Sequence, residues 1–213
     1  MNRMNAARQQ ILESLRRERP PAERLPELRG MWHRYADRSR QFADAVESVG
    51  GACRFVPDLD AIEPLAKEQI VASGADIGRC ASAVPGLRVG RAALASDSPL
   101  ADLERMDWVF APGRFAVAEN GAVWIDGGDL PCRAALFLCR HLALVVRADE
   151  IVHNMHEAYD RLTWNGARGG SEFGLFLSGP SKTADIEQSL VIGAQGAKTL
   201  CVFVLGRSAD RPS

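Results

Sequence analysis

The 213-residue sequence has no apolar run approaching the ~20 residues that a membrane-spanning helix requires; its longest, 142–146 and 200–206, are far shorter. Nor does either charge dominate, since 26 Lys and Arg stand against 27 Asp and Glu for a formal charge of -1. A nucleic-acid binder needs a basic footprint to displace phosphate counterions, so this balance argues against one. Residues 1–19 are polar and Arg-rich and lack the apolar stretch of a secretory signal, which places the chain in the cytoplasm as an expectation. The five cysteines, Cys53, Cys80, Cys132, Cys139 and Cys201, include no Cys-x-x-Cys pair. Scattered and odd in number, they read as free, mostly buried thiols in a reducing compartment, and the chain is not expected to hold an iron–sulfur cluster or other cofactor. A Gly-x-Gly-x-x-Gly dinucleotide fingerprint, internal repeats and low-complexity tracts are all missing.

What is present is the composition of one globular domain, 46% hydrophobic and 25% charged, long enough to bury roughly 70% of its unfolded surface. Residues 5–17 read as an amphipathic helix ended by Pro20-Pro21, so 1–29 is expected to be a helical arm and tether, 30–206 an α/β domain and 207–213 a frayed tail. Within the domain, helical spacing predicts a helix over 32–49, stopped by Gly50-Gly51, and another over 61–70. Apolar runs at 53–56, 87–90, 108–110, 114–118, 122–125, 142–146, 173–177 and 200–205 predict strands. Further helices are expected at 133–139, 148–162 and 183–193, with a mobile Gly-rich loop at 164–171. Strands alternating with helices, several of them continuously apolar, indicate a three-layer fold: a mostly parallel sheet with helices on both faces.

Open α/β sheets bind ligands outside the carboxyl ends of their strands, which directs attention to the loop Ser178-Gly179-Pro180-Ser181-Lys182-Thr183. Thr183 suits an N-cap, and Asp185 and Glu187 suit the first turns of a following helix. Two readings stand side by side: a carboxylate or phosphate pocket at a helix N-terminus, with Lys182 adding charge, or a well-capped helix whose acids merely complement its dipole. The loop is not a Walker A motif, because Pro180 stands where the lysine must be. Asn120-Gly121 between two apolar runs is a hairpin signal, and the odd residue beside it is Glu119, a carboxylate at a strand end that can serve as base or acyl acceptor. This hairpin and the 178–183 loop are expected at one end of the sheet, sharing a cleft. His153 and His156, three residues apart on the expected 148–162 helix, fall opposite its apolar stripe and read as a solvated face rather than a metal site. His33 reads as a surface residue, and His141, just before an apolar strand, is either a site residue or a strand-edge cap.

The run Ser178-Gly-Pro-Ser-Lys-Thr-Ala-Asp-Ile-Glu-Gln-Ser-Leu-Val-Ile-Gly193 closely resembles the signature of the lactate utilization protein C family, the LUD domain. The resemblance extends through the segment ending Glu119-Asn120-Gly121 and through His141-Leu-Ala-Leu-Val-Val146, covering residue 30 onward. It implies a fold similar to the sugar-phosphate isomerase and coenzyme A transferase group. It also implies an accessory role beside iron–sulfur oxidoreductase subunits that carry the clusters and oxidise L-lactate, or a related 2-hydroxy acid, to pyruvate. One departure stands out: the family usually has Gly-x-His-Gly-Pro after the signature, and this chain has Gly193-Ala194-Gln195-Gly196-Ala197. Gln195 hydrogen-bonds but does not shuttle a proton near neutral pH. Two other readings belong to different classes. One is a coenzyme A transferase-like enzyme, since Glu119-Asn120-Gly121 resembles the Ser-Glu-Asn-Gly motif with Ala118 in place of Ser; the other is a non-catalytic regulatory or assembly subunit.

Overall fold

The computed structural model describes residues 3–20, 30–162, 173–184 and 190–206. The chain forms two compact units, Met1–Met31 and Trp32–Ser213. In the first lies helix α1 (Arg3–Arg17), which leaves Ile11 and Leu15 exposed.

The second unit opens with α2 (Arg38–Ser48), β1 (Ala52–Val56), α3 (Ile62–Ala72), β2 (Cys80–Ser82) and the short α4 (Leu100–Leu103). Next come β3 (Trp108–Pro112), β4 (Phe115–Val117), β5 (Ala122–Asp126), α5 (Ala135–Leu138) and β6 (His141–Arg147). The unit closes with β7 (Ile151–Val152), α6 (Met155–Arg161), β8 (Gly174–Leu177), β9 (Lys182–Ala184), β10 (Leu190–Ile192) and β11 (Thr199–Leu205).

Five strands build a central sheet of order β1-β11-β6-β3-β2, parallel at every pairing. Its strands read as continuous apolar runs because successive side chains enter two different cores. Leu142, Leu144 and Val146 of β6 and Leu200, Val202 and Val204 of β11 enter one core, beside Phe42 and Val46 of α2. The alternate residues Ala143, Val145, Cys201 and Phe203 enter the other, against Ile62, Ala66 and Ile70 of α3. The α2 face also carries a second sheet, β7-β4-β5-β8, whose Ala116, Val123, Ile125 and Ile151 belong to the same core as α2.

Several expected elements change character. The 32–49 helix starts only at Arg38, because Asp37 caps it by accepting from the backbone N–H groups of Ser39 and Arg40. No strand forms at 87–90; Leu87 and Val89 are buried there without ladder bonds, and Cys80–Ser82 provides the edge strand instead. The 148–162 helix is absent as such. Ala148–Glu150 forms a single 3-10 turn, Ile151 and Val152 pair in parallel with Ala116 and Val117 as strand β7, and only Met155–Arg161 is α-helical. Adjacent Ile151 and Val152 satisfy a helical stripe on paper, but their β-branched side chains also suit a pleated, buried surface, and pairing with β4 decides the matter. At both described ends of the expected 183–193 helix there are strands instead, the antiparallel pair β9–β10, in which Val191 faces Thr183 and Ile192 faces Lys182. Thr183, Val191 and Ile192 are β-branched, so a strand pair is the conformation they favour. The 164–171 loop and the 207–213 tail lie outside the described residues. No helix among the described residues is long and apolar enough to cross a membrane.

All five cysteines are free, four of them buried and Cys132 half-buried. Burial pushes the thiols of Cys53 and Cys139 up to about 12 and that of Cys80 up to about 11.

The β4–β5 hairpin forms as Asn120-Gly121 signalled, with Val117 facing Ala122 across a loop in which Gly121 has φ 67 and its N–H donates to the Val117 carbonyl. The loop packs so closely on α2 that a Cβ at Gly121 would lie 2.7 Å from Val46 N. At Gly74 φ is 68, but a Cβ meets nothing within 4 Å. Gly74→Ala is therefore expected to lose only the conformational cost, about 1 kcal/mol. Gly121→Ala, which adds a backbone clash, should lose at least about 2 kcal/mol. Urea midpoints of the two variants check this, and equal losses would show that the α2 contact yields freely.

Candidate functional site

The 178–183 loop leaves β8 and runs into β9. Ser178 Oγ donates to the Asn120 carbonyl oxygen at 2.7 Å, so the loop and the β4–β5 hairpin do meet. At Gly179 φ is 75, and a Cβ there would come within 2.8 Å of the Val49 carbonyl oxygen, so the loop lies directly on the end of α2. Ser181 N donates to the Ala197 carbonyl oxygen and Gly193 N to that of Ser181, which folds the 193–197 turn back over the loop.

Between loop and turn lies a pocket of about 310 Å³. Gly179, Ser181, Lys182 and Gln195 line it, so four residues singled out from the sequence are gathered in one place. Its other walls are apolar and include Leu136, Phe137, Leu142, Leu177 and Leu200. Leu142 and Leu200 stand second in β6 and β11, so the pocket opens near the amino ends of the parallel sheet, not the expected carboxyl ends. Thr183 is the middle residue of β9 rather than an N-cap. Asp185 and Glu187 lie outside the described residues. Lys182 lines the pocket, yet its Nζ lies 3.7 Å from where a Gly50 Cβ would be, over the carboxyl end of α2, whose terminal carbonyls favour a cation. Ser181 and Gln195 have no side-chain hydrogen bond among the described residues, which leaves a hydroxyl and an amide at the rim for a ligand.

The remaining candidates lie elsewhere. Asn120 touches the loop and Gly121 packs on α2, but neither lines the pocket. Glu119 is exposed, and its carboxylate accepts from Met155 N at 2.9 Å, at the start of α6. His141 belongs to the opposite face of the sheet from Leu142 beside it. It stacks on Trp108 with ring centroids 4.9 Å apart and hydrogen-bonds Thr199 Oγ1 through Nδ1 at 2.8 Å. Burial, reinforced by Arg140, lowers its pKa.

His153 is not on a solvated face. It is only 9% exposed, and its Nδ1 accepts from Tyr35 N at 3.0 Å, so the neutral ring carries its proton on Nε2. It belongs to a clasp that the sequence did not disclose: Asn154 Nδ2 donates to the His33 carbonyl oxygen, His156 stacks on Trp32 at 3.6 Å, and Arg34 pairs with Glu157 at 3.4 Å. The available signal was Asn154-x-x-Glu157, a capping box. Asn154 Oδ1 accepts from Glu157 N, and Glu157 Oε2 reaches back to His153 N. Among the described residues no group of three or more His, Cys, Asp or Glu side chains is placed to hold a metal ion.

Residues 40–205 match the model of the LUD domain. Lactate utilization protein C of Deinococcus radiodurans is 35% identical over 125 residues, 57% of this chain and 58% of that protein. The protein of the same name from Shouchella clausii is 30% identical over 90 residues, 42% of this chain and 39% of that one. The matches thus span less than two thirds of the length of these relatives. In fold, the chain is similar to a DUF162 family protein from Deinococcus radiodurans, whose crystal structure superposes with a TM-score of 0.58 at 24% identity, covering 80% of this chain and 98% of that one.

The two buried histidines have a consequence for acid stability. Burial is the main cause that lowers both pKa values from 6.5, outweighing Glu157 beside His153 and Asp107 beside His141, while Arg34, Arg38 and His33 act with burial on His153. Below pH 6.5 the unfolded chain therefore binds protons that the folded chain refuses, and folding stability drops as pH falls through that value until the folded histidines titrate. Urea unfolding between about pH 7.5 and pH 5 should show this decline, and the double variant His141→Asn, His153→Asn should show a shallower one. An unchanged slope in the double variant would assign the decline to other groups.

Proposed function

Because the chain belongs to the LUD domain family, with residues 40–205 inside the match, we propose that it is an accessory component of lactate utilization. In this reading it serves an iron–sulfur-dependent system that oxidises L-lactate, or a related 2-hydroxy acid, to pyruvate. The clusters reside on partner oxidoreductase subunits and take up the electrons, and this chain is inactive alone.

The observation that carries the proposal is the convergence of Gly179, Ser181, Lys182 and Gln195 on one pocket within a domain whose relatives are named lactate utilization protein C. Ser181 and Gln195 offer hydrogen bonds to a small carboxylate, and Lys182, swung from the end of α2, adds charge. Neither a serine without a base nor a glutamine takes up a proton near neutral pH. The chain's contribution is therefore to bind and orient an anionic ligand, while proton and electron transfer fall to the partners. A coenzyme A transferase-like reaction through Glu119 has less support. That carboxylate is exposed and already bonded to Met155 N, whereas an acyl-enzyme needs a glutamate held in a water-excluded site.

The test is genetic and biochemical. Deleting the gene is expected to slow growth on L-lactate, and the tagged protein from lactate-grown cells should bring down an iron–sulfur protein. Ser181→Ala and Lys182→Met should weaken complementation while changing folding stability by no more than about 0.5 kcal/mol. Normal growth of the deletion strain with no co-purifying iron–sulfur protein would refute the assignment.

A further inference from the structure

The pocket beside the 178–183 loop is larger and more apolar than lactate requires. At roughly 30 Å³ per water-sized group in a condensed phase, its volume of about 310 Å³ holds on the order of ten non-hydrogen groups. The carboxylate and hydroxyl carbon of a 2-hydroxy acid fill about half of these, and the single methyl of lactate leaves most of the remainder unoccupied.

Polarity is divided in the same sense. The floor is made by Leu136, Leu142 and Leu200, exposed by 2%, 1% and 2%. The polar groups, Ser181 and Gln195 with Lys182, stand at the more exposed rim. Phe137, a wall of the pocket, is left 45% exposed, a cost in water that an apolar ligand group would offset. Lactate would satisfy the rim and leave Phe137 uncovered.

We infer that the preferred ligand of this pocket is an amphiphilic carboxylate: a 2-hydroxy or 2-oxo acid whose head meets Ser181, Gln195 and Lys182 and whose apolar chain of about four to six carbons lies against Phe137 and Leu177, over the closed floor of Leu142 and Leu200. This rests on the reading of the pocket as the ligand site of the accessory component, and it narrows the ligand class. The neutral Gln195 fits the assignment, because an amide donates to a carboxylate at any pH at which the protein is folded, whereas a histidine in its place would bind as a cation only when protonated.

Calorimetric titration of the full-length protein with lactate, 2-hydroxybutyrate, 2-hydroxyhexanoate and 2-hydroxyoctanoate tests the inference, with hexanol as the headless control. Affinity should rise about fourfold per methylene and level off at the longest chain, following the burial of each CH₂. The methyl resonances of Leu177 and Leu200 should shift with the hexanoate and octanoate members and much less with lactate. Gln195→Ala is expected to weaken the acids about tenfold and leave hexanol unaffected. Absence of binding by every acid, a flat or falling affinity along the series, or shifts confined to other methyl groups would overturn the inference. The outcome separates from that of the lactate assignment. Tight, chain-dependent binding with normal growth of the deletion strain on lactate leaves the ligand class standing and removes the pathway. Lactate as the tightest ligand with impaired growth does the reverse.

Discussion

Burial of β3, β6 and β11 on both faces at once is the constraint on which the rest of the molecule depends. Each strand divides its side chains between two cores with a period of two, Val109, Leu142 and Leu200 to one side and Phe110, Ala143 and Cys201 to the other. A shift of one residue in any of them would exchange the two sets and mismatch both α3 and the α2 layer. Because the register is fixed in this way, His141 must face Trp108 while Leu142 faces the pocket, and the pocket floor is an extension of the α2-side core.

The central strands were legible because, in a chain of mixed composition, a short and continuously apolar run bounded by turn residues fits a strand buried on both faces. In the second sheet β4, β5 and β8 were legible in the same way, and β7 was not. It is two residues long, and nothing within 151–152 distinguishes a strand from the first turn of a helix; the deciding fact is pairing with Ala116 and Val117, far away in sequence. The same limit affected 183–193, where the hydroxyl and acids of an apparent helix start outweighed the β-branched Thr183, Val191 and Ile192. Long-range hydrogen bonding overrode local pattern in both cases.

For the candidate site, the residue types were legible and the place was not. Small, polar and positively charged residues in a loop draw attention wherever they occur, and Gly179, Ser181, Lys182 and Gln195 do converge. Leu142 and Leu200 carry no such mark, since a leucine lining a pocket is written like one in a closed core. The expectation that ligands lie at the carboxyl ends of strands points to the opposite end of the central sheet from this pocket. The clasp of Tyr35 and His33 on 153–154 escaped notice for the reason that hid β7, because its partners are separated by more than a hundred residues.

The sulfur chemistry follows from the packing. With the thiols of Cys53 and Cys139 pushed up to about 12, the fraction present as thiolate at neutral pH is on the order of one in 10⁵, and thiolate is the species that alkylates, exchanges and oxidises. Cys80 and Cys201 are shifted in the same direction and are also buried. Cys132 alone reaches the surface in part. The five sulfurs therefore amount to four inert packing atoms and one chemical handle, so a maleimide dye, spin label or cross-linker added to the folded protein would report from a single position, next to α5 and the wall of the pocket.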